Sequence, residues 1–190
     1  MNSVNKINNL SKSDFISIFG NVFEKTNWIA EKAYNLKPFL DSNDIKKKFI
    51  SIYNNCNNKQ HLEIFNSHPQ LAIEKIMTIH SKKEQIGSKL NSCTKEELNE
   101  FIKLNNDYKK KFNFTFIVAV AGLDKKQILD IFKNRIKNNF ENEFNEAIVQ
   151  VKKIATIRIN QILQKFYENI WLFYVFWWRS SFRRKVKYFR

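Results

Sequence analysis

The stretch ENEFNEAIVQVKKIATIRINQILQKF, residues 141–166, decides how this chain folds. Its apolar residues recur every three or four positions, which is the spacing of one face of a long α-helix. A long helix with such a continuous apolar face packs that face inward, so we expect this stripe to belong to the core. The members of the stripe are Phe144, Ala147, Ile148, Val151, Ile154, Ala155, Ile159, Ile162, Leu163 and Phe166.

Composition and length favour an all-α protein. The chain has 190 residues, 43% of them hydrophobic, which is enough for the core of one domain. Its three Gly and two Pro leave few breaks between helices. We therefore predict a single compact multi-helix domain over residues 10–168, preceded by a frayed N-terminus at residues 1–9 and followed by an extension at residues 169–190.

Helix ends can be predicted from capping residues. Pairs with the spacing of a capping box occur at Thr94 with Glu97, Asp124 with Gln127, and Ser81 with Glu84. Pro69 suits the first position of a helix because its φ is fixed and it lacks an N–H. With the apolar spacing, these signals predict helices over residues 13–19, 26–34, 42–54, 59–66, 94–112, 124–138 and 141–166.

The run FTFIVAVA, residues 114–121, is the exception to the helical pattern. Its length and its β-branched residues favour a short extended segment. In an all-α protein no sheet would bind its backbone N–H and C=O groups, so they would face the adjacent space. A ligand rich in amides would suit them, and a buried connector between two helices is the alternative.

His68 and Glu84 are the candidate groups for proton transfer. His68 opens the motif HPQLA and Glu84 lies in the motif SKKEQ, residues 81–85. A histidine and a carboxylate can serve as acid and base when the fold brings them together. Read by itself, Glu84 is better explained as half of the capping box with Ser81 than as a catalytic group.

Arg158 lies on or beside the apolar stripe of the last helix. An unpaired guanidinium there would cost on the order of 3–5 kcal/mol, so something anionic must face it. A structural salt bridge is one partner. A substrate carboxylate, which arginine binds with two parallel hydrogen bonds, is the other.

Taken together, HPQLA, SKKEQ, the run at residues 114–120 and the motif IATIRI at residues 154–159 resemble one known family. It is the 2-oxo-4-hydroxy-4-carboxy-5-ureidoimidazoline (OHCU) decarboxylases of purine breakdown, and the likeness runs from about residue 10 to about residue 166. The resemblance implies a carboxy-lyase that needs no cofactor or metal and releases carbon dioxide and (S)-allantoin in urate degradation. The segment between Ala72 and Ser81 is a few residues shorter here than is usual in that family.

The resemblance also assigns roles to residues. It implies that His68 is the acid/base, that Pro69 shapes the pocket, that Glu84 and Gln85 bind ureido and hydroxyl groups, and that Arg158 holds a carboxylate. The remaining substrate-binding positions that it implies are Ser81, Lys82, Lys83, Phe116, Ile117, Val118, Ala119 and Val120.

Charge and cysteine usage bear on partners and location. The formal net charge is +15, which raises a basic helical module that binds nucleic acid or an anionic membrane as the alternative function. Lysines scattered along helix faces favour a solvated surface instead, so no nucleic acid is expected. Cys56 and Cys93 lack metal-ligand spacing and predict free thiols in the cytoplasm. The family is often dimeric, so a homodimer is an open alternative to a monomer.

The last residues form a segment of different composition. Nine apolar residues at 170–178 precede a basic run that begins at Arg179. Nine residues are too few to span a bilayer as a helix. The segment could contact a membrane surface weakly or extend the last helix, and we assign it no function.

Overall fold

The computed structural model describes residues 3–72 and 79–186, with side chains for residues 3–72 and 81–167. Within these ranges the chain forms helices and no strand, so the all-α prediction is confirmed. A 3₁₀ turn, Leu90–Ser92, follows α6. The helices are α1 Ser3–Asn8, α2 Lys12–Phe19, α3 Asn27–Tyr34, α4 Ser42–Asn54, α5 Asn58–Ser67, α6 Ile79–Gly87, α7 Lys95–Phe112, α8 Lys125–Arg135 and α9 Phe140–Val186.

Helix α9 carries the predicted apolar stripe, which faces the core. It contacts α1, α2, α4 and α5, and Ala147, Val151, Ala155 and Ile159 of the stripe are buried. The helix is longer than predicted, because it continues from residue 166 to Val186. The aromatic side chains at 170–178 and the basic ones that follow lie outside the described residues.

The N-terminus is not frayed, and that prediction is wrong. Residues Ser3–Asn8 form α1, whose Val4 and Ile7 are buried in the core. The Asn8 side chain donates to the Phe39 carbonyl at 2.9 Å and accepts from the Phe39 N–H at 2.8 Å. Two apolar residues three positions apart and one paired amide are enough to order this short helix.

Two of the three predicted capping boxes are confirmed, those at Thr94 and Asp124. The box at Ser81 is wrong, because α6 already begins at Ile79 and places Ser81 and Glu84 inside the helix. Pro69 does not start a helix either, since α5 ends at Ser67 and no helix begins at Pro69. Pro69, Ser81 and Glu84 therefore do not start or cap a helix, and they line a cavity instead.

The segment at residues 115–120 is extended, as predicted. It begins where Asn113 ends α7 in the left-handed region, at φ +59°. Side chains of α8, of α9 and of Ser88, which directly follows α6, bind its backbone. Arg135 Nη1 donates to the Ile117 carbonyl at 2.6 Å, Gln150 Oε1 accepts from the Ala119 N–H at 2.9 Å, and Ser88 Oγ donates to the Val120 carbonyl at 2.9 Å.

A buried ion pair supports the longest of these side chains. Arg135 donates from Nε and Nη2 to Glu143, at 3.0 and 2.5 Å, and lies 4.6 Å from the centre of the Phe116 ring. Tyr108 and Asn138 also donate to Glu143, at 2.5 and 2.8 Å. The extended segment is therefore fixed from α7, α8 and α9 at once.

In the described part of the chain, no helix has a stretch both long and apolar enough to cross a membrane.

Candidate active site

A cleft opens between the end of α5, helix α6, the extended segment and α9. Its empty volume is about 340 Å³ with the open mouth included. The sequence motifs predicted that His68, Glu84 and Arg158 converge on one cavity beside residues 116–120, and they do. The alternative, a binding module, predicted no such cavity. The lining residues are His68, Pro69, Leu71, Ser81, Glu84, Gln85, Phe116, Ile117, Val118, Val120, Ile154 and Arg158.

His68 ends helix α5 and holds its ring in one orientation. Its Nδ1 lies 2.9 Å from the carbonyl oxygen of Ile64. Because that oxygen can only accept, Nδ1 carries a hydrogen. Nε2 is buried and has no hydrogen-bond partner among the described residues.

Burial lowers the pKa of His68 below the ordinary value of 6.5, and the charge of Arg158 lowers it further. The bond to Ile64 and the carboxylates Glu24 and Glu84 act in the opposite direction without cancelling the shift. The ring is therefore neutral near pH 7, with its lone pair on Nε2. A neutral imidazole with a free lone pair in a cavity can act as a base.

Glu84 projects from α6 toward Arg158 on α9. Arg158 Nε and Nη2 donate to the two Glu84 oxygens, each at 2.8 Å, so the pair is bidentate. The Glu84 side chain is 18% exposed, whereas that of Arg158 is 1% exposed. Arg158 thus binds the Glu84 carboxylate from the buried side, while Glu84 itself remains partly exposed to the cleft.

All five N–H donors of Arg158 have protein acceptors. Besides the two bonds to Glu84, Nη1 donates to Glu24 Oε2 at 2.9 Å and to the Asn21 carbonyl at 3.0 Å, and Nη2 donates to Ser81 Oγ at 3.0 Å. Burial would lower the pKa of Arg158, but the bonds and charges of Glu84 and Glu24 raise it. The structural salt bridge is therefore the arrangement observed, and no donor is left for a substrate carboxylate.

Ser81 and Gln85 also lie on the cavity side of α6. Ser81 Oγ donates to Glu24 Oε2 at 2.5 Å while it accepts from Arg158. Gln85 Oε1 accepts from the Ala72 N–H at 3.0 Å, and its Nε2 donates to the Gln70 carbonyl at 3.2 Å. Gln85 thus holds the wall of the cavity that follows Pro69.

Three predicted substrate-binding residues do not line the cleft. Lys82 and Lys83 are exposed, because the helical period turns them away from the face that carries Ser81, Glu84 and Gln85. Ala119 is absent from the lining as well, and its N–H is bound by Gln150. Lys82, Lys83 and Ala119 therefore lie beside the site and not in its lining.

Glu24 was missed by sequence reasoning. It is fully buried, and its backbone lies in the left-handed region at φ +44°, next to Lys25 at φ +51°. Such a conformation costs roughly 1–3 kcal/mol for a residue other than glycine. The one signal in the sequence is weak: an acidic residue directly follows the apolar pair Val22 and Phe23.

Other candidate residues lie away from the cleft or beyond the description. His61 is buried and its ring packs against Tyr53 and Phe65, as a packing residue would. The short segment that follows Ala72, residues 73–78, and the side chain of His80 lie outside the described residues. Cys56 and Cys93 are free thiols. In the described ranges, no three histidine, cysteine, aspartate or glutamate side chains are grouped to hold a metal ion.

Comparison with known sequences gives a consistent match. The sequence model described as OHCU decarboxylase matches residues 8–160. A uric acid degradation bifunctional protein of Bacillus sp. (strain TB-90) is 35% identical over 87% of this chain and 33% of its own length. An OHCU decarboxylase of Haloferax volcanii is 26% identical over 83% of this chain and 94% of its own. This chain therefore spans about one third of the Bacillus protein.

Solved structures give the same match. A crystal structure of (S)-allantoin synthase has a TM-score of 0.69 at 25% identity, covering 84% of this chain and 53% of its own. A crystal structure of OHCU decarboxylase in the presence of (S)-allantoin has a TM-score of 0.65 at 25% identity, covering 76% of this chain and 96% of its own.

Proposed function

Because this chain belongs to the OHCU decarboxylase family, as the resemblance of its motifs predicts, we propose that it converts OHCU to (S)-allantoin and carbon dioxide in urate degradation. One observation carries the proposal: His68 and Glu84 meet at one cleft whose far wall is the extended segment at residues 116–120. The cleft is small and combines apolar walls with a few convergent polar groups, as small-molecule sites do.

The substrate can lose carbon dioxide with little help. Its carboxylate and hydroxyl groups share a ring carbon that lies next to a ring imine. When the bond to the carboxylate breaks, the electron pair can enter the ring and reach the imine nitrogen, which takes a proton. The ring carbon that bears the ureido group must then receive a proton on one face, and the hydroxyl must lose one. The protein's main task is to direct these proton movements.

His68 suits this transfer. Its neutral ring can take the hydroxyl proton at Nε2 while Nδ1–H stays bonded to the Ile64 carbonyl. The charged ring can then return the proton to carbon, which regenerates the neutral form. Because the ring is fixed at one wall, the proton arrives on one face, and a single enantiomer results. A positioned acid/base of this kind contributes on the order of 10²–10⁴-fold in rate.

Glu84 and the extended segment orient the substrate in this proposal. Among the described residues Glu84 is the carboxylate that lines the cleft, so it can accept from ureido and hydroxyl donors. Side chains bind the C=O of Ile117, the N–H of Ala119 and the C=O of Val120. Among the described residues nothing hydrogen-bonds the backbone of Val118, so its N–H and C=O are among the groups available to the ring amides.

Freshly generated substrate tests the proposal, because it also decays without enzyme to a racemate. Circular dichroism during the reaction should show the S enantiomer in excess, and the excess should grow with protein concentration. A racemic product at the uncatalysed rate, at every protein concentration, would exclude this activity.

Assembly and location complete the proposal. A homodimer follows the habit of the family that the sequence resembles, and sedimentation at several concentrations tests it. A cytoplasmic location is supported by the two free thiols.

A further inference from the structure

The turn between α2 and α3 carries a carboxylate that the proposed reaction does not use. Glu24 is fully buried, and it and Lys25 both have positive φ, which residues with side chains rarely adopt. Thr26 Oγ1 lies 2.8 Å from the Glu24 carbonyl and 2.7 Å from that of Phe23, closing the turn. An unfavourable backbone conformation kept at a buried acid, beside an enzyme site, calls for a physical reason.

Glu24 lies on the far side of Arg158 from the cleft. Its Oε2 accepts from Arg158 Nη1 at 2.9 Å and from Ser81 Oγ at 2.5 Å. The carbonyl of Asn21, in the same turn, accepts the other hydrogen of Nη1 at 3.0 Å. The turn therefore binds the guanidinium through both its backbone and its side chain.

The opposite edge of the same guanidinium binds Glu84. Nε and Nη2 donate to the two Glu84 oxygens, each at 2.8 Å. Glu24 is absent from the residues that line the cleft, whereas Glu84 and Ser81 are part of the lining. Glu24 thus acts on the cleft through Arg158 and Ser81 and does not touch a molecule bound there.

We propose that Glu24 is a positioning residue of the decarboxylase site, which fixes Arg158 and Ser81 so that Arg158 presents Glu84 to the substrate. This inference rests on the proposed function. A planar guanidinium held at one edge by Glu24 and Asn21 can present its other edge in one orientation. Without the buried anchor, Nη1 of Arg158 would lose its charged partner, and the guanidinium could turn away from Glu84.

The charges near His68 give this role a measurable consequence. The charged groups that act on its ring are Arg158, Glu24 and Glu84, and both carboxylates favour the protonated ring. Removing the charge of Glu24 leaves Arg158 less compensated, so His68 should bind its proton more weakly. A residue that served packing alone would have no such effect.

The test compares Glu24→Gln with wild type in the full-length protein. Glutamine keeps the shape of the side chain and removes its charge. We expect kcat for (S)-allantoin formation to fall at least tenfold, with KM changed less than threefold. We also expect the acid limb of the kcat/KM profile to move to lower pH.

An NMR titration of the His68 ring, assigned with His68→Asn, gives a readout that needs no substrate. The midpoint should be lower in Glu24→Gln than in wild type. An unchanged midpoint in the folded variant would overturn the inference even if wild type proves inactive. Conversely, racemic product from wild type would exclude the proposed reaction, while the titration would still decide whether Glu24 acts on His68.

Two further variants separate positioning from folding. Glu143→Gln is a matched control, because Glu143 is equally buried and pairs with Arg135. It should lower stability and leave the His68 midpoint in place. Glu24→Asp keeps the charge but shortens the side chain, so it should keep the midpoint and still lower kcat at least fivefold. Wild-type kcat in folded Glu24→Asp or Glu24→Gln would overturn the inference.

Discussion

In the proposed reaction, His68 shows how one residue is prepared for proton transfer. As the C-cap residue of α5, His68 can donate from Nδ1 to the Ile64 carbonyl of its own helix, which leaves Nε2 available to the cleft. Burial and the charge of Arg158 lower its pKa, so the base is in the correct form at neutral pH without any movement.

The first prediction is that His68→Asn loses activity and keeps its fold. The asparagine amide can still donate to the Ile64 carbonyl, so the free energy of unfolding should change by about 1 kcal/mol or less. The value of kcat/KM should fall by roughly 10²–10⁴-fold, because the proton carrier is gone. His61→Asn is the control, since it replaces a buried histidine outside the cleft. Near-wild-type (S)-allantoin formation by His68→Asn would exclude the acid/base role.

The second prediction concerns stability against pH. The pKa values of both His68 and His61 are lowered in the folded protein. Below pH 6.5, the ordinary pKa of histidine, the unfolded chain therefore binds protons that the folded protein does not bind. Their contribution to stability should be complete above pH 6.5 and decline as the pH falls below it. Urea unfolding of wild type between pH 7.5 and 5.5 measures this decline, and His68→Asn should make it shallower. A wild-type unfolding free energy that is constant over this range would contradict the prediction.

The third prediction is that Arg158→Gln destabilises the protein. The change leaves Glu24, which is fully buried, without its charged partner. Stranding one member of a buried pair costs on the order of 3–5 kcal/mol. Urea unfolding of the single variant and of Arg158→Gln combined with Glu24→Gln measures the cost. The double variant should regain part of the loss, and an equally stable single variant would show that the pair contributes nothing.

At the scale of elements, the backbone of the extended segment bonds to side chains, whereas a strand in a sheet would bond to its neighbouring strands. The backbone groups of the segment are bound by Arg135 of α8, Gln150 of α9 and Ser88, which directly follows α6. Buried N–H and C=O groups need partners, and here side chains from three separate places in the chain supply them. The segment can therefore stay extended in a protein whose other described elements are helical.

The fourth prediction tests this arrangement with Gln150→Leu. The Ala119 N–H would lose its acceptor, at a cost of about 1–3 kcal/mol in stability. Because the segment also lines the cleft, KM should rise more than kcat falls. Gln161→Leu is the matched control, since Gln161 is exposed on the same helix. Steady-state kinetics check the prediction, and an unchanged KM in Gln150→Leu would mean that the segment holds its shape without this bond.

At the scale of the molecule, α9 packs its apolar stripe into the core. The buried stripe reaches Ile162 and Leu163, with Phe166 partly buried, while the helix goes on to Val186. Every residue assigned a role in the site lies before that point.

The fifth prediction is that truncation after Glu168 leaves a folded, active domain. Helix α9 would keep its whole described stripe, and Tyr167 would keep its bond to Ser42. Thermal unfolding and (S)-allantoin formation should match wild type. Truncation after Gln161 is the control and should destabilise the protein, because it removes Ile162 and Leu163 from the core. An unfolded product from truncation after Glu168 would show that the apolar block after residue 169 completes the core.

The sequence alone determined the all-α class, the last helix with its core stripe, two capping boxes and the extended segment. These follow from local chemistry, since periodicity, caps and chain breaks act over a few residues. The motifs also pointed to His68, Glu84 and Arg158 as members of one site. Local signals failed where a long-range partner decided the outcome: Ser81 and Glu84 look like a cap, and Glu24 looks like a surface acid in a loop.

Tertiary structure decided what these charged residues do. Whether Arg158 faces a substrate or a protein carboxylate depends on Glu24 and Glu84, which lie 134 and 74 residues away along the chain. Whether Lys82 or Gln85 reaches the cleft depends on which face of α6 packs inward. A buried charge must be paired, and the position of Arg158 on an apolar helix face already indicates in the sequence that it needs a partner. The identity of the partner is fixed only when three distant segments pack around one guanidinium.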